Sequence, residues 1–141
     1  MMTILLRLII LCVVLFASPL QAGIVVIVNS DNATSQFTQR QLVDLYMGRN
    51  LYFKNGNMAL RLDQAPDSKV REDFYKSLVG KTVAQINAYW ARLLFTGRAS
   101  PPQVISNSQD VLQAIRENTN AVGYINESEL DASVKVVGRV N

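Results

Sequence analysis

The stretch Leu60-Arg61-Leu62-Asp63-Gln64-Ala65-Pro66-Asp67-Ser68-Lys69-Val70-Arg71 carries the reading of the whole chain. Apolar residues alternate from Ala59 to Leu62, as in a strand, a short polar loop follows, and a helix opens near Ser68. A helix start leaves several backbone N–H groups unpaired and carries partial positive charge, so it attracts anions. Arg61, Lys69 and Arg71 flank this start, with hydroxyl and carboxylate groups between them. An oxyanion site is one reading of the junction. The other is structural: Ser68 or Asp67 caps the helix, Asp63 pairs with an arginine, and Lys69 and Arg71 stand in water.

Beyond the junction the helix places Val70, Phe74 and Leu78 at four-residue spacing and stops at Gly80, with Glu72 and Lys76 set to pair on its wet side. Upstream, Ile24 to Val28 is an unbroken β-branched run ending at Asn29-Ser30-Asp31-Asn32. Its lack of alternation points to a strand covered on both faces, as in the parallel sheet of an α/β fold. Thr38-Gln39-Arg40-Gln41 is a capping box whose helix shows Leu42, Leu45 and Tyr46 on one face and ends at Gly48. Lys54-Asn55-Gly56-Asn57 then turns the chain into the strand of the junction.

Downstream, Thr82-Val83-Ala84-Gln85 is a second capping box. Its helix turns Val83, Ile86, Trp90 and Leu93 inward and ends around Phe95-Thr96-Gly97. Pro101-Pro102 breaks the chain before a short extended piece, Gln103 to Ile105. Ser106-Asn107-Ser108-Gln109 starts a last helix with Val111, Leu112 and Ile115 inward, and strands follow at Val122 to Ile125 and Val134 to Val137.

This order implies one layered α/β domain with a mixed central sheet. In open sheets of this class ligands settle outside the carboxyl ends of strands. The Asp63 to Ser68 loop lies at one such end and Asn29 to Asn32 at another, where Ser30 is a weaker candidate, its alternative being a turn residue at the strand end. Phe74, Tyr89, Trp90 and Phe95 recur at helical spacing and read as core. Gly123 reads as a close approach or an unusual backbone angle, and Tyr124 as a hydroxyl available at a strand end.

The first 22 residues stand apart from this pattern. Arg7, the apolar run Leu8 to Ala17 and Ser18-Pro19-Leu20-Gln21-Ala22 describe a signal peptide cut after Ala22, an uncleaved anchor being the alternative. Removing 22 residues from 141 leaves 119, one domain with a real core and too little for two. The single cysteine, Cys12, leaves with the signal, and the chain has no histidine. A zinc site, a Cys–His nucleophile and a Ser–His–Asp triad are thereby excluded, and no acids show calcium-loop spacing. The expectation is a protein that uses no cofactor and catalyses nothing. Losing Arg7 lowers the net charge from +3 to +2, which suits an anion. There is no basic run with interleaved aromatics, so nucleic acid is not an expected partner.

Several segments, in register, resemble one lobe of the phosphate-binding proteins that serve ABC importers. They are Ile24 to Asn29, Gln41-Leu42-Val43-Asp44-Leu45-Tyr46-Met47-Gly48, Arg61 to Phe74, Tyr89-Trp90 with Leu94-Phe95-Thr96-Gly97, and Asn120-Ala121-Val122-Gly123-Tyr124-Ile125. The resemblance implies a type 2 periplasmic-binding-protein fold, a periplasmic or secreted location and an oxyanion site at the junction. That family's lobe offers an arginine, an aspartate just beyond it and a Gly-Ser-Gly-Thr-like loop at a helix start. Arg61 and Asp63 match the first two, whereas Gln64 to Ser68 keeps one hydroxyl and no glycine, and Pro66 removes a donor.

The roles implied are chemically coherent. Arg61 would offer a planar fork to two phosphate oxygens, and Ser68 with the following N–H groups would receive another. Asp63 would accept the proton of hydrogen phosphate and repel sulfate, which has none. Arg71 would close the cage, its alternative being a surface pair with Asp67. Family receptors close two lobes around the ligand, so a single lobe implies weaker binding, or a wall supplied by an ABC transporter, another envelope protein or a second copy of this chain. A second function follows from the altered loop: a degenerate lobe acting as a protein–protein interaction or sensory accessory module in the cell envelope.

Overall fold

The computed structural model describes residues 23–141, and the expected signal peptide lies outside the described residues. Strand β1 (Ile24–Asn29) is buried along its whole length. Val26 and Val28 pack into one apolar cluster and Val25 and Ile27 into another, on opposite faces of the sheet. That two-sided burial explains the unbroken β-branched run. The sheet continues with β2 (Leu60–Gln64), β3 (Gln103–Ile105), β4 (Ala121–Asn126) and β5 (Val134–Val140), in the order β3-β2-β4-β1-β5.

Strand direction departs from the reading of β1 as a strand of a parallel sheet. β1 runs antiparallel to both its neighbours, β4 and β5, while β2 runs parallel to β3 and β4. An unbroken apolar run reports helices on both faces and carries no information on direction. The sheet is mixed, as the element order implies.

Three helices cover one face: α1 (Gln39–Tyr46), α2 (Lys69–Val79) and α3 (Val83–Phe95). The fourth, α4 (Ser108–Glu117), covers the other through Val111, Leu112 and Ile115. The capping boxes form as the sequence indicates, with the Thr38 and Thr82 hydroxyls accepting from the N–H groups of Gln41 and Gln85 and each glutamine side chain accepting in return. Gly80 ends α2 in the left-handed conformation, φ 68°. The ion pair along α2 joins Lys69 to Asp73 at 2.6 Å and not Glu72 to Lys76.

The aromatic reading holds for three residues and fails for one. Phe74 and Trp90 are buried and Tyr89 packs against them, but Phe95 is 93% exposed. Five residues after Trp90, Phe95 has turned about 140° around the helix, away from the sheet. Gly123 takes no left-handed angle and serves close packing: a Cβ there would lie 2.8 Å from Val111 Cγ1. Gly123→Ala is therefore expected to cost about 1–3 kcal/mol by forcing α4 off the sheet, read as a lower urea midpoint.

The topology also separates the two expected ligand loops. Because β1 opposes β4 while β2 follows it, the carboxyl ends of β1 and β2 lie at opposite ends of the sheet along the strand direction. Register puts Val28 beside Val122 and Arg61 beside the same residue, so β1 ends where β2 begins. Ser30, in an exposed turn after β1, is thus separated from the Asp63 to Ser68 loop by the length of β2, roughly 13 Å at 3.3 Å per residue. The Asn29 to Asn32 turn has a structural task instead. Asn29 Nδ2 donates to the carbonyls of Ile115 and Arg116, and Asn32 Nδ2 to that of Thr119, satisfying the end of α4.

Candidate functional site

Alternation along β2 sends Arg61 and Asp63 to the face covered by α1, α2 and α3, and Leu62 to the face of α4. Both polar residues are buried, Arg61 at 8% exposure and Asp63 at 3%. Each has its own set of partners, and the two sets do not meet.

Arg61 closes a helix end. Its Nη1 donates to the Leu45 carbonyl at 3.4 Å and its Nη2 to the Ser100 carbonyl at 2.8 Å, and its guanidinium carbon lies 5.7 Å from the Trp90 ring centroid. Leu45 sits in the last turn of α1, where carbonyls lack intrahelical partners and the dipole is negative. Burial lowers the Arg61 pKa from its ordinary value, yet a guanidinium stays protonated in proteins. The fork expected to hold an anion is thus occupied by backbone.

Asp63 is enclosed by donors. Oδ2 accepts from Tyr75 Oη at 2.8 Å and Arg71 Nε at 3.3 Å, while Oδ1 accepts from its neighbour Gln64 N at 2.9 Å and from the Tyr124 hydroxyl. Burial, reinforced by the Asp63 charge, pushes the pKa of Tyr75 and Tyr124 well above the usual tyrosine value, so both remain donors at neutral pH. Phe74 stacks on Tyr124 with ring centroids 3.8 Å apart and meets Tyr46 and Tyr75 edge-on, which fixes both hydroxyls.

Arg71 joins this cluster. Its side chain is 6% exposed and pairs with Asp63, not with Asp67; Nη2 donates to Asn87 Oδ1 of α3 at 3.1 Å. Nη1 is buried and, like the Trp90 indole N–H, has no hydrogen-bond partner among the described residues. Ser68 caps α2, its Oγ accepting from Arg71 N at 3.2 Å, and stands half-buried at the mouth of the helix. The starts of α2 and α3 open together on a groove of about 450 Å³ lined by Ser68, Glu72, Lys76, Lys81 and Thr82 among others.

The structure therefore brings Asp63 and Arg71 together, sets Ser68 one helical turn away through the Arg71 backbone, turns Arg61 to a separate task and leaves Ser30 at the other end of the sheet. Sequence reasoning missed Tyr75 and Asn87, gave the Gln64 side chain no role, and offered Tyr124 only as a hydroxyl at a strand end. Gln64 Nε2 crosses to Ser108 Oγ and to the Tyr124 carbonyl on the α4 side. Tyr75 was legible in principle, four residues beyond Arg71 on one helical face. Among the described residues no cluster of acids could hold a metal ion, and no helix is long and apolar enough to cross a membrane.

The described chain is one α/β lobe, a mixed five-stranded sheet with helices on both faces. It aligns with an ABC-type phosphate transport receptor from Vibrio cholerae at TM-score 0.65 and 22% identity, over 82% of this chain and 45% of the receptor. A phosphate ABC transporter substrate-binding protein of Clostridium perfringens, solved with bound phosphate, aligns at 0.66 and 22%, over 82% and 44%. PstS from Borrelia burgdorferi aligns at 0.64 and 12%, over 82% and 46%. The chain thus has the fold of part of such a receptor and spans less than half the length of each. No protein-family model and no curated protein matches it.

Proposed function

We propose that this chain is an exported, non-catalytic binding protein that takes phosphate or a similar oxyanion at the entrance of α2. The donors are the Ser68 hydroxyl and the N–H groups of Lys69 and Val70, with the Arg71 guanidinium behind them. The observation that carries the reading is Arg71 Nη1, a buried N–H of a cation without an acceptor among the described residues. Such groups are uncommon in native proteins and are satisfied by ligand or water. Side chains in a helix lean toward its N-terminus, which brings the guanidinium of Arg71, third in α2, to Asp63 in β2 and to Asn87 in α3. Lys76 and Lys81 add positive charge to the adjoining groove. The shared fold with receptors for phosphate supports the same ligand class.

In this reading Arg61 and Asp63 hold the framework and do not touch the ligand. Binding is weak, at roughly millimolar affinity, because one side of the anion stays in water and Asp63 offsets the charge of Arg71. A periplasmic location after signal cleavage, and an ABC transporter, another envelope protein or a second copy as the missing wall, belong to the same proposal. Calorimetric titration with phosphate tests it. Ser68→Ala is expected to weaken binding several-fold while costing the fold about 1 kcal/mol through the lost cap. Absence of heat from the unmodified protein up to tens of millimolar phosphate would remove the proposal.

A second reading has its own support. Leu94 and Phe95 at the end of α3, and Val104 on the short edge strand β3, are large apolar side chains more than half exposed. Together with the enclosure of Asp63 they favour a lobe that meets another protein of the envelope. Retained phosphate binding argues for the first reading, and its absence for this one.

A further inference from the structure

We infer that the site does not distinguish phosphate from sulfate, because Asp63 has no acceptor position left for the proton that separates the two anions. The inference rests on the oxyanion reading above and sharpens its ligand class to tetrahedral dianions in general.

At neutral pH hydrogen phosphate and sulfate share shape and charge, and differ in one O–H donor. Telling them apart takes a fixed acceptor that receives this proton and repels the anion lacking it. A carboxylate has about four lone-pair positions. Those of Asp63 are matched by four donors: Arg71 Nε, the hydroxyls of Tyr75 and Tyr124, and the Gln64 N–H. Its charge is balanced at 3.3 Å by Arg71, so it presents no net repulsion to sulfate either.

The other acids near the entrance do not replace it. Asp67 and Glu72 are exposed. Water competes for their lone pairs and salt screens their charge, so neither fixes a proton-accepting geometry. What remains at the α2 entrance is the Ser68 hydroxyl, whose oxygen already accepts from Arg71 N and whose proton is free to turn to an anion, with backbone N–H groups and a guanidinium. Donors address the oxygens that both anions carry alike.

The test is a pair of NMR titrations of the purified protein, with sodium phosphate and with sodium sulfate at matched ionic strength, following the amides of Lys69 and Val70. Both anions are expected to move the same amides with affinities within about threefold of each other. Phosphate binding more than about tenfold tighter than sulfate would overturn the inference and leave the oxyanion reading standing. Amides that respond to neither anion would overturn the reading, and the inference with it.

Discussion

Asp63→Asn is expected to destabilise the fold by about 3–5 kcal/mol, the range seen when one partner of a buried ion pair is removed. The substitution keeps the shape and deletes the charge that compensates Arg71, whose side chain is 6% exposed. It also puts an amide NH₂ where one oxygen now receives two donors, so at least one donor from Tyr75, Arg71, Tyr124 or the Gln64 backbone loses its acceptor. Urea denaturation followed by circular dichroism reads the change. A loss below about 1 kcal/mol would mean that the carboxylate is solvated, as surface pairs are.

Phe74→Ala carries the next largest effect, about 3–5 kcal/mol. Phe74 is fully buried, stacked on Tyr124 at an interplanar angle of 4° and edge-on to Tyr46 and Tyr75. Truncation opens a cavity between the rings that aim two hydroxyls at Asp63. Its cost should therefore not add to that of Asp63→Asn. The double variant is expected to lose less than the sum of the single variants, because each already loosens the same cluster. Strict additivity in a denaturation cycle would show that the aromatic packing and the carboxylate act independently.

Much of the fold is legible in local sequence because local physics dictates it. The boxes at Thr38 and Thr82, the glycine at the end of α2 and the two-sided burial of β1 depend on residues a few positions apart. Strand direction is different. β1 pairs with β4 across the chain, Val28 with Val122, and nothing in Ile24 to Asn29 encodes which way its partner runs. That the ends of β1 and β2 lie at opposite ends of the sheet was therefore not legible from either strand alone.

The site shows the same division. Ser68 as a helix cap and Asp63 with an arginine partner both stood among the sequence readings, and both are found. The choice between an exposed cation and a buried one could not be read from Arg61 or Arg71, since the residue type is the same in either setting. It is decided by acceptors brought from elsewhere: the Leu45 and Ser100 carbonyls for Arg61, and Asp63 with Asn87 for Arg71. Tyr124, 61 residues from Asp63, completes the enclosure.

A crystal structure of the protein grown in phosphate tests the central claim most directly. The account predicts tetrahedral density at the start of α2, within hydrogen-bond reach of Ser68 Oγ and the N–H groups of Lys69 and Val70, with Arg71 still paired to Asp63. Density between Arg61 and Asp63, with Arg61 drawn away from the carbonyls of Leu45 and Ser100, would contradict it, as would an empty α2 entrance.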